Sequence, residues 1–314
     1  MKRITSLADI SEDDRGACAA MGNFDGVHLG HRRVLDLARA EADARGAPLA
    51  VLTFEPHPRE VFNPDGPPFR LTNAESKAHR LAKLGVDILF ELRFDRSLFN
   101  LTDGEFCTRM LAEGLGLSHV AVGGDFHYGK GRSGNVDSLR AAGETLGFGV
   151  TVADLVTLSS GERVSSTAIR EALAKGDPVR AREMLGHWHR IDGPVLHGEK
   201  RGRKLGYPTA NMSIEGLHPP RFGVYAVLVE VLCGPHAGNY RGVGSLGVRP
   251  MFGENRPNIE SHLFDFTGDL YDSHLSVGLV EYLRPEQKFD SLDALVAQMG
   301  TDSARARAAL AGLG

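Results

Sequence analysis

Ala17-Cys18-Ala19-Ala20-Met21-Gly22-Asn23-Phe24-Asp25-Gly26-Val27-His28-Leu29-Gly30-His31 passes from small, apolar residues into a glycine-punctuated turn, and a helix-patterned segment follows from Arg32 to Arg45. The order is that of a strand, a tight loop and a helix N-terminus. Such a junction presents backbone N–H groups without intrahelical partners and the positive end of a helix dipole, so it binds phosphate without needing net positive charge. His28 and His31 stand one helical turn apart on the same face, and Gly30 between them leaves room for a flat ring.

Outward from this stretch, apolar runs alternate with helical patterns. Strands are expected at Pro48 to Thr53, Val86 to Leu92, His119 to Gly123 and Gly149 to Val156. Helices are expected at Asn73 to Leu84, ending at Gly85, and at Asp103 to Leu111, with Phe106, Met110 and Leu111 on one stripe; Asp137 to Leu146 completes the set. Strands spaced by helices imply βαβ units and an α/β fold with a doubly wound parallel sheet, whose ligands gather beyond the carboxyl ends of the strands. The opening stretch lies at such an end.

Three further loops leave strand ends. Thr53-Phe54-Glu55-Pro56-His57-Pro58 combines two prolines with an aromatic and reads as a stiff wall or simply a rigid surface loop. Gly123-Gly124-Asp125-Phe126-His127-Tyr128-Gly129-Lys130-Gly131-Arg132 has Gly124, Gly129 and Lys130 at Walker A spacing, but Gly131 replaces the hydroxyl residue that would hold Mg²⁺ and no helix opens after it. It is therefore a basic, glycine-rich loop and not a P-loop. Ser165-Ser166-Thr167-Ala168-Ile169-Arg170 opens a helix from Thr167 to Ala174 with three hydroxyls, more than a helix cap requires.

A second helix from Asp177 to Leu185 ends near Gly186, and His187 to Gly193 reads as a short connector, so the chain divides into 1–186 and 187–314. Beyond it the pattern changes to strands: Tyr225 to Leu232, Arg241 to Leu246, Ile259 to Phe266 and Leu275 to Leu283, separated by turn residues. These make a compact antiparallel barrel, with a last helix from Leu292 to about Leu313 packed outside it. Gly198-Glu199-Lys200-Arg201-Gly202-Arg203-Lys204-Leu205-Gly206 is a glycine-rich basic loop suited to polyphosphate or to a solvated turn. In Thr209-Ala210-Asn211 the first and last residues share a face if the segment is extended, so two hard oxygen ligands of the kind Mg²⁺ prefers converge beside that loop.

Composition narrows the function classes. A net charge of -4, from 36 Lys and Arg dispersed among 40 Asp and Glu, is unsuited to bulk nucleic-acid or anionic-membrane binding. Cys18, Cys107 and Cys233 form neither a metal motif nor an even disulfide set, which fits a reducing cytoplasm, and there is neither an apolar export segment after Lys2 and Arg3 nor a run of membrane-spanning length. His28 and His31 could also be read as zinc ligands, but no third and fourth ligand stand at familiar spacing. Small-molecule substrates are the expected partners, and oligomerisation is left open.

Gly22-Asn23-Phe24-Asp25-Gly26-Val27-His28-Leu29-Gly30-His31, the loop at Thr53 to Pro58, Gly124-Asp125-Phe126 and Ser165 to Arg170 together resemble the adenylyltransferase module of bacterial bifunctional riboflavin kinase/FAD synthetases. The basic loop with Pro208-Thr209-Ala210-Asn211, then Gly223-Val224-Tyr225, Gly247-Val248-Arg249-Pro250, Glu260 to Phe266 and Asp269-Leu270-Tyr271, resemble the riboflavin kinase module of the same family. The resemblance covers nearly the whole chain. It implies phosphorylation of riboflavin by ATP and Mg²⁺ in the barrel and transfer of an adenylyl group from ATP to FMN in the first half, giving FAD and pyrophosphate.

By the same resemblance, His28 and His31 act on the α-phosphorus, with Gly22, Asn23, Phe24, Gly30, Asp125, Ser165, Ser166, Thr167 and Arg170 binding that ATP. Pro56, Phe62 and Phe126 are the implied flavin contacts. In the kinase, Gly198, Lys200, Gly202, Arg203 and Gly206 bind ATP, Thr209 and Asn211 hold the metal, and Glu260 is the base for the ribityl hydroxyl. His127-Tyr128 stands where the family has Arg-Phe, and Gly244-Ser245 and Met251 where it has Asn and Thr. The competing expectation is a nucleotidyltransferase for another substrate whose barrel binds flavin only to regulate it.

Overall fold

The computed structural model describes residues 1–197, 206–251 and 254–313. The chain forms two compact units, Met1–Gly66 with Lys77–Val164, and Pro67–Ser76 with Ser165–Gly314.

In the first unit, β1 (Lys2–Ile4), β2 (Cys18–Met21), β3 (Leu49–Glu55), β4 (Ile88–Arg93), β5 (His119–Gly123) and β6 (Gly149–Ala153) form one sheet in the order β1-β4-β3-β2-β5-β6. Every pairing is parallel. After β2 the chain winds outward through β3 and β4, then returns to the opposite side of β2 as β5. The switch in winding therefore falls beside β2, where an open parallel sheet leaves a crevice for ligands.

Alternation along the strands supplies two cores. Ala19 and Met21 join Leu52, Phe90, Val120 and Val122 on one face, while Cys18 and Ala20 join Val51, Leu89 and Ala121 on the other. The second face is covered by α1 (Leu29–Arg45) through Val34, Leu35, Ala38 and Ala42. The connections also include α2 (Pro58–Phe62), α3 (Ala74–Lys83), α4 (Arg96–Phe99), α5 (Asp103–Phe106) and α6 (Val136–Leu146). The helix expected from Asp103 to Leu111 changes pitch: α5 passes into a π-helical stretch at Cys107–Gly114. The short edge strand β1 was not expected from the sequence.

The second unit begins with α7 (Ser166–Lys175) and α8 (Pro178–Leu185). Its strands are β7 (Arg190–Pro194), β8 (Ala210–Ser213), β9 (Gly223–Val231), β10 (Gly238–Met251), β11 (Glu254–Leu263) and β12 (His274–Arg284), in the order β7-β12-β9-β10-β11-β8. All pair antiparallel, and a bridge from Leu196 to Asn211 brings the chain after β7 against β8, so the sheet nearly closes into a barrel. The segment His187 to Gly193, expected as a connector, mostly enters β7. The strand expected to reach Phe266 stops at Leu263, before Asp265 takes a positive φ of 57°.

Met212, Leu246 and Ile259 point into the barrel core with Tyr225, Val227 and Val277. Outside, α9 (Leu292–Leu310) sets Ala306 and Leu310 against Val224, Ala226 and Phe264. Arg284 of β12 fixes it by donating to both carboxylate oxygens of buried Asp302, at 2.9 and 2.7 Å to Oδ2 and 3.0 Å to Oδ1. Among the described residues, no helix is long and apolar enough to cross a membrane.

Candidate active sites

The turn after β2 is built by unusual backbone. Phe24 and Val27 have positive φ of 52° and 44°, and Gly26 has 83°. Left-handed non-glycine residues are costly and persist only where packing enforces them. Here burial does so: Phe24 and Val27 are each 1% exposed and lie in the core under α1. Phe24 is thus a floor for the turn, its ring 5.0 Å from that of His31.

His28 is the N-cap of α1, and its Nδ1 accepts the N–H of His31 at 3.3 Å. An accepting Nδ1 places the ring's donor proton on Nε2. The His28 and His31 rings stack with centroids 3.7 Å apart and 13° between planes. Gly30 makes this possible, since a Cβ there would meet His28 Cε1 at 3.0 Å. His31 Nδ1 is buried without a hydrogen-bond partner. Burial, His28 and the Lys77 ammonium, in that order, hold the His31 pKa well below its ordinary value. His31 is therefore held neutral and desolvated, stacked on His28 at a helix start.

Beside it, Glu55 ends β3 and Pro56 follows through a cis peptide. His57 caps α2 in a capping box with Glu60, and Phe62, at the end of that helix, is 65% exposed. Its ring packs against Phe94 at 5.7 Å and Phe99 at 5.3 Å. Phe54, Phe106 and Tyr128 continue the aromatic row, and Phe126 lies parallel to Tyr128 at 5.8 Å. Phe62 and Phe126 thus stand at the two ends of one aromatic chain. Asp125 is exposed and paired with Arg163. Lys130–Arg132 form a single tight turn and α6 opens only after Asn135, as befits a loop that is not a P-loop.

In the second unit, Ser165 caps α7 by accepting the N–H of Ala168 at 3.2 Å, and Arg170 donates to Thr167 Oγ1 at 3.2 Å and to the Phe69 carbonyl at 3.3 Å. Ser166 opens the helix. Ser165 and Thr167 are thus engaged locally at the helix start.

The barrel contributes a second cluster. Asn211 on β8 and Glu260 on β11 are direct cross-strand partners, and Ser245 on β10 faces Glu260 from the other side. Side chains of such partners have Cβ atoms about 5 Å apart on one face of the sheet. Ile259, Met212 and Leu246, one residue along, point into the core, which leaves Asn211, Glu260 and Ser245 half-buried on the opposite face. Thr209 lies immediately before β8. Of the expected phosphate loop, Gly206 has a positive φ of 80°; Gly198, Lys200, Gly202 and Arg203 lie outside the described residues. Among the described residues no group of three or more His, Cys, Asp or Glu is arranged to hold a metal ion. The donors at Thr209 and Asn211 are neutral oxygens, of the kind Mg²⁺ takes together with phosphate oxygens.

Sequence reasoning missed Lys77, which is 1% exposed and donates to Thr53 and Glu55 at the end of β3, Thr53 itself donating to Asn23 in the turn after β2. Its signal was a lysine beside Ala78 and within a turn of Leu81, both of which face the core.

Comparison with known proteins bears on both units. A family model for FAD synthetase matches residues 10–168, and one for riboflavin kinase matches residues 185–310. The bifunctional riboflavin kinase/FMN adenylyltransferase of Pseudomonas fluorescens is 43% identical, covering 98% of this chain and 97% of that protein. Its namesake from Escherichia coli K12 is 41% identical over the same shares. A crystal structure of a protein named for macrolide efflux, from Streptococcus pneumoniae, superposes with a TM-score of 0.81 at 29% identity, covering 97% of this chain and 98% of that one.

Proposed function

Since the chain belongs to the family of bifunctional riboflavin kinase/FMN adenylyltransferases, with its FAD synthetase domain first and its riboflavin kinase domain second, we propose how its residues divide the two reactions. Residues 1–186 are assigned to adenylyl transfer and 187–314 to the kinase. ATP, riboflavin, FMN and FAD are the substrates and products that these activities require.

For adenylyl transfer, an FMN phosphate oxygen attacks the α-phosphorus of ATP and pyrophosphate leaves. In-line displacement at phosphorus demands positioning and charge stabilisation more than covalent help. The stacked pair of His28 and His31 at the start of α1 supports this role, because its N–H donors are prearranged and dehydrated. Negative charge from the triphosphate opposes the depression of the His31 pKa and favours its protonated, more strongly donating form. Gly22, Asn23 and Gly30 bring backbone close to the nucleotide, with Phe24 fixing the turn from below. Asp125, Ser165, Ser166, Thr167 and Arg170 are assigned to the same ATP. Pro56, Phe62 and Phe126 are assigned to the isoalloxazine, for which the exposed ring of Phe62 offers a stacking face.

For the kinase, the single observation that carries the assignment is the register of Glu260 against Asn211. Glu260 takes the proton of the ribityl hydroxyl as its oxygen attacks the γ-phosphorus, and ADP leaves. Thr209 and Asn211 would hold Mg²⁺, which when bound supplies charge neutralisation on the phosphates. Gly198, Lys200, Gly202, Arg203 and Gly206 are assigned to that ATP. The cytoplasm is the proposed location, where both nucleotide and riboflavin are available.

Incubation with riboflavin, ATP and Mg²⁺, followed by chromatography over time, tests the scheme. FMN is expected first and FAD with pyrophosphate later, and chelating the metal should stop FMN formation. Undiminished FMN formation after chelation would overturn the role of Thr209 and Asn211.

A further inference from the structure

We propose that Lys77 is a positioning residue for adenylyl transfer, tying the turn after β2 to the end of β3, from which the next loop leaves, so that nucleotide and flavin are held in one fixed register. This rests on the assignment of those two loops to ATP and FMN. Lys77 and Thr53 are 1% and 0% exposed. The Lys77 ammonium donates to Glu55 Oε1 at 2.6 Å and to Thr53 Oγ1 at 3.2 Å, and the Thr53 hydroxyl spends its one proton on the Asn23 carbonyl at 3.2 Å. One cation is thereby anchored at both ends. One limb reaches Asn23 in the strained turn before His28, and the other reaches Glu55, the residue before Pro56.

A lysine stripped of water in this way is expensive, and an apolar side chain would fill the same place in α3 more cheaply. Ala78 and Leu81 nearby show what that helix uses when packing alone is at stake. What the ammonium adds is a directional link from the turn after β2, through Thr53, to Glu55 at the end of β3, where the chain enters the next loop. Transfer requires the FMN phosphate oxygen to stand about 3–3.5 Å from the α-phosphorus and in line with the leaving pyrophosphate, and an error of about 1 Å costs about a hundredfold in rate. The limbs govern each substrate separately, whereas Lys77 governs their relation.

Steady-state kinetics of FAD formation in the full chain test this through Thr53→Val, Glu55→Gln and Lys77→Met, with circular dichroism and thermal unfolding of the same samples reporting intact folding of the first unit. Thr53→Val is expected to raise the KM for ATP about tenfold and leave that for FMN unchanged, while Glu55→Gln does the converse. Lys77→Met is expected to lower kcat about a hundredfold, with riboflavin phosphorylation unaffected. Lys77→Met at wild-type kcat overturns the proposal, as do limb variants that move both KM values together or neither. If Lys77→Met does not fold, the two limb variants decide, since both keep side-chain size. His28→Ala separates the two levels: wild-type FAD synthesis in that variant removes the site assignment, and this proposal with it. If the link alone is wrong, the His28→Ala defect remains.

Discussion

The two proposed sites draw on different parts of their folds. In the first unit the two histidines assigned to the α-phosphorus share one turn and one helix start, where His28 caps α1 and stacks on His31 at 3.7 Å. In the second, the residues proposed as base and metal ligand lie on separate strands, and only the pairing of β8 with β11 sets Glu260 opposite Asn211. A helix start supplies donors and partial positive charge by itself and so suits a reaction that needs charge stabilisation. A sheet face supplies spacing, which suits a reaction that needs a base and a cation held apart at fixed distance. The second arrangement depends on register.

The contrast can be broken most decisively at the histidines. In His28→Ala/His31→Ala, FAD synthesis is expected to fall by at least about a thousandfold, since even one lost donor of this kind costs about 10²–10³, while FMN production stays at the wild-type rate. Loss of both activities, read by product chromatography, would mean that the sites are not separable. Next in size is Asn211→Ala, expected to lower FMN formation about a hundredfold at limiting Mg²⁺ and to recover partly as Mg²⁺ is raised. An unchanged metal titration would remove Asn211 from the metal site. Phe62→Ala should then raise the KM for FMN in adenylyl transfer about tenfold, with the KM for riboflavin in the kinase unmoved. Equal effects on both reactions would argue against a flavin wall confined to the first unit.

The smallest expected effect concerns stability. His189, 3% exposed at the start of the barrel, has its pKa pushed down to about 3, first by burial and then by His187 and His218, with Asp192 opposing. The unfolded chain then binds more protons than the folded one below pH 6.5. Stability is therefore complete above that pH and is lost as pH falls toward 3, by about 2 kcal/mol between pH 6.5 and 5. Denaturant midpoints measured across that interval should fall for the wild type and fall less for His189→Phe. Equal slopes would show that the ring does not stay neutral in the fold.

Sequence made the first unit far more legible than the second. The turn at Met21 to His31 is contiguous, and its strand, glycines and helix pattern can be read without knowing any partner. The parallel sheet followed from spacing, with His119–Gly123 at its expected bounds. By contrast, β1 has three residues and exists only through its pairing with β4, a contact that no local pattern encodes. The long β10 hides behind its glycines. At Gly242 a Cβ would meet the His262 carbonyl at 2.4 Å, so close backbone approach, and not a turn, explains that glycine. Glu260 was singled out only through resemblance, because a carboxylate in a strand carries no signal of what stands across from it. Lys77 stayed invisible for the same reason: its partners Thr53 and Glu55 are on another element.

The most direct test of two separate sites is to supply the Glu260→Gln chain with each flavin in turn, together with ATP and Mg²⁺, and to measure product formation. The structure leads us to expect almost no FMN from riboflavin, a deficit of about 10²–10⁴, and FAD from FMN at the wild-type rate. Failure to make FAD from supplied FMN, or undiminished FMN from riboflavin, would contradict the assignment of the two reactions to two sites.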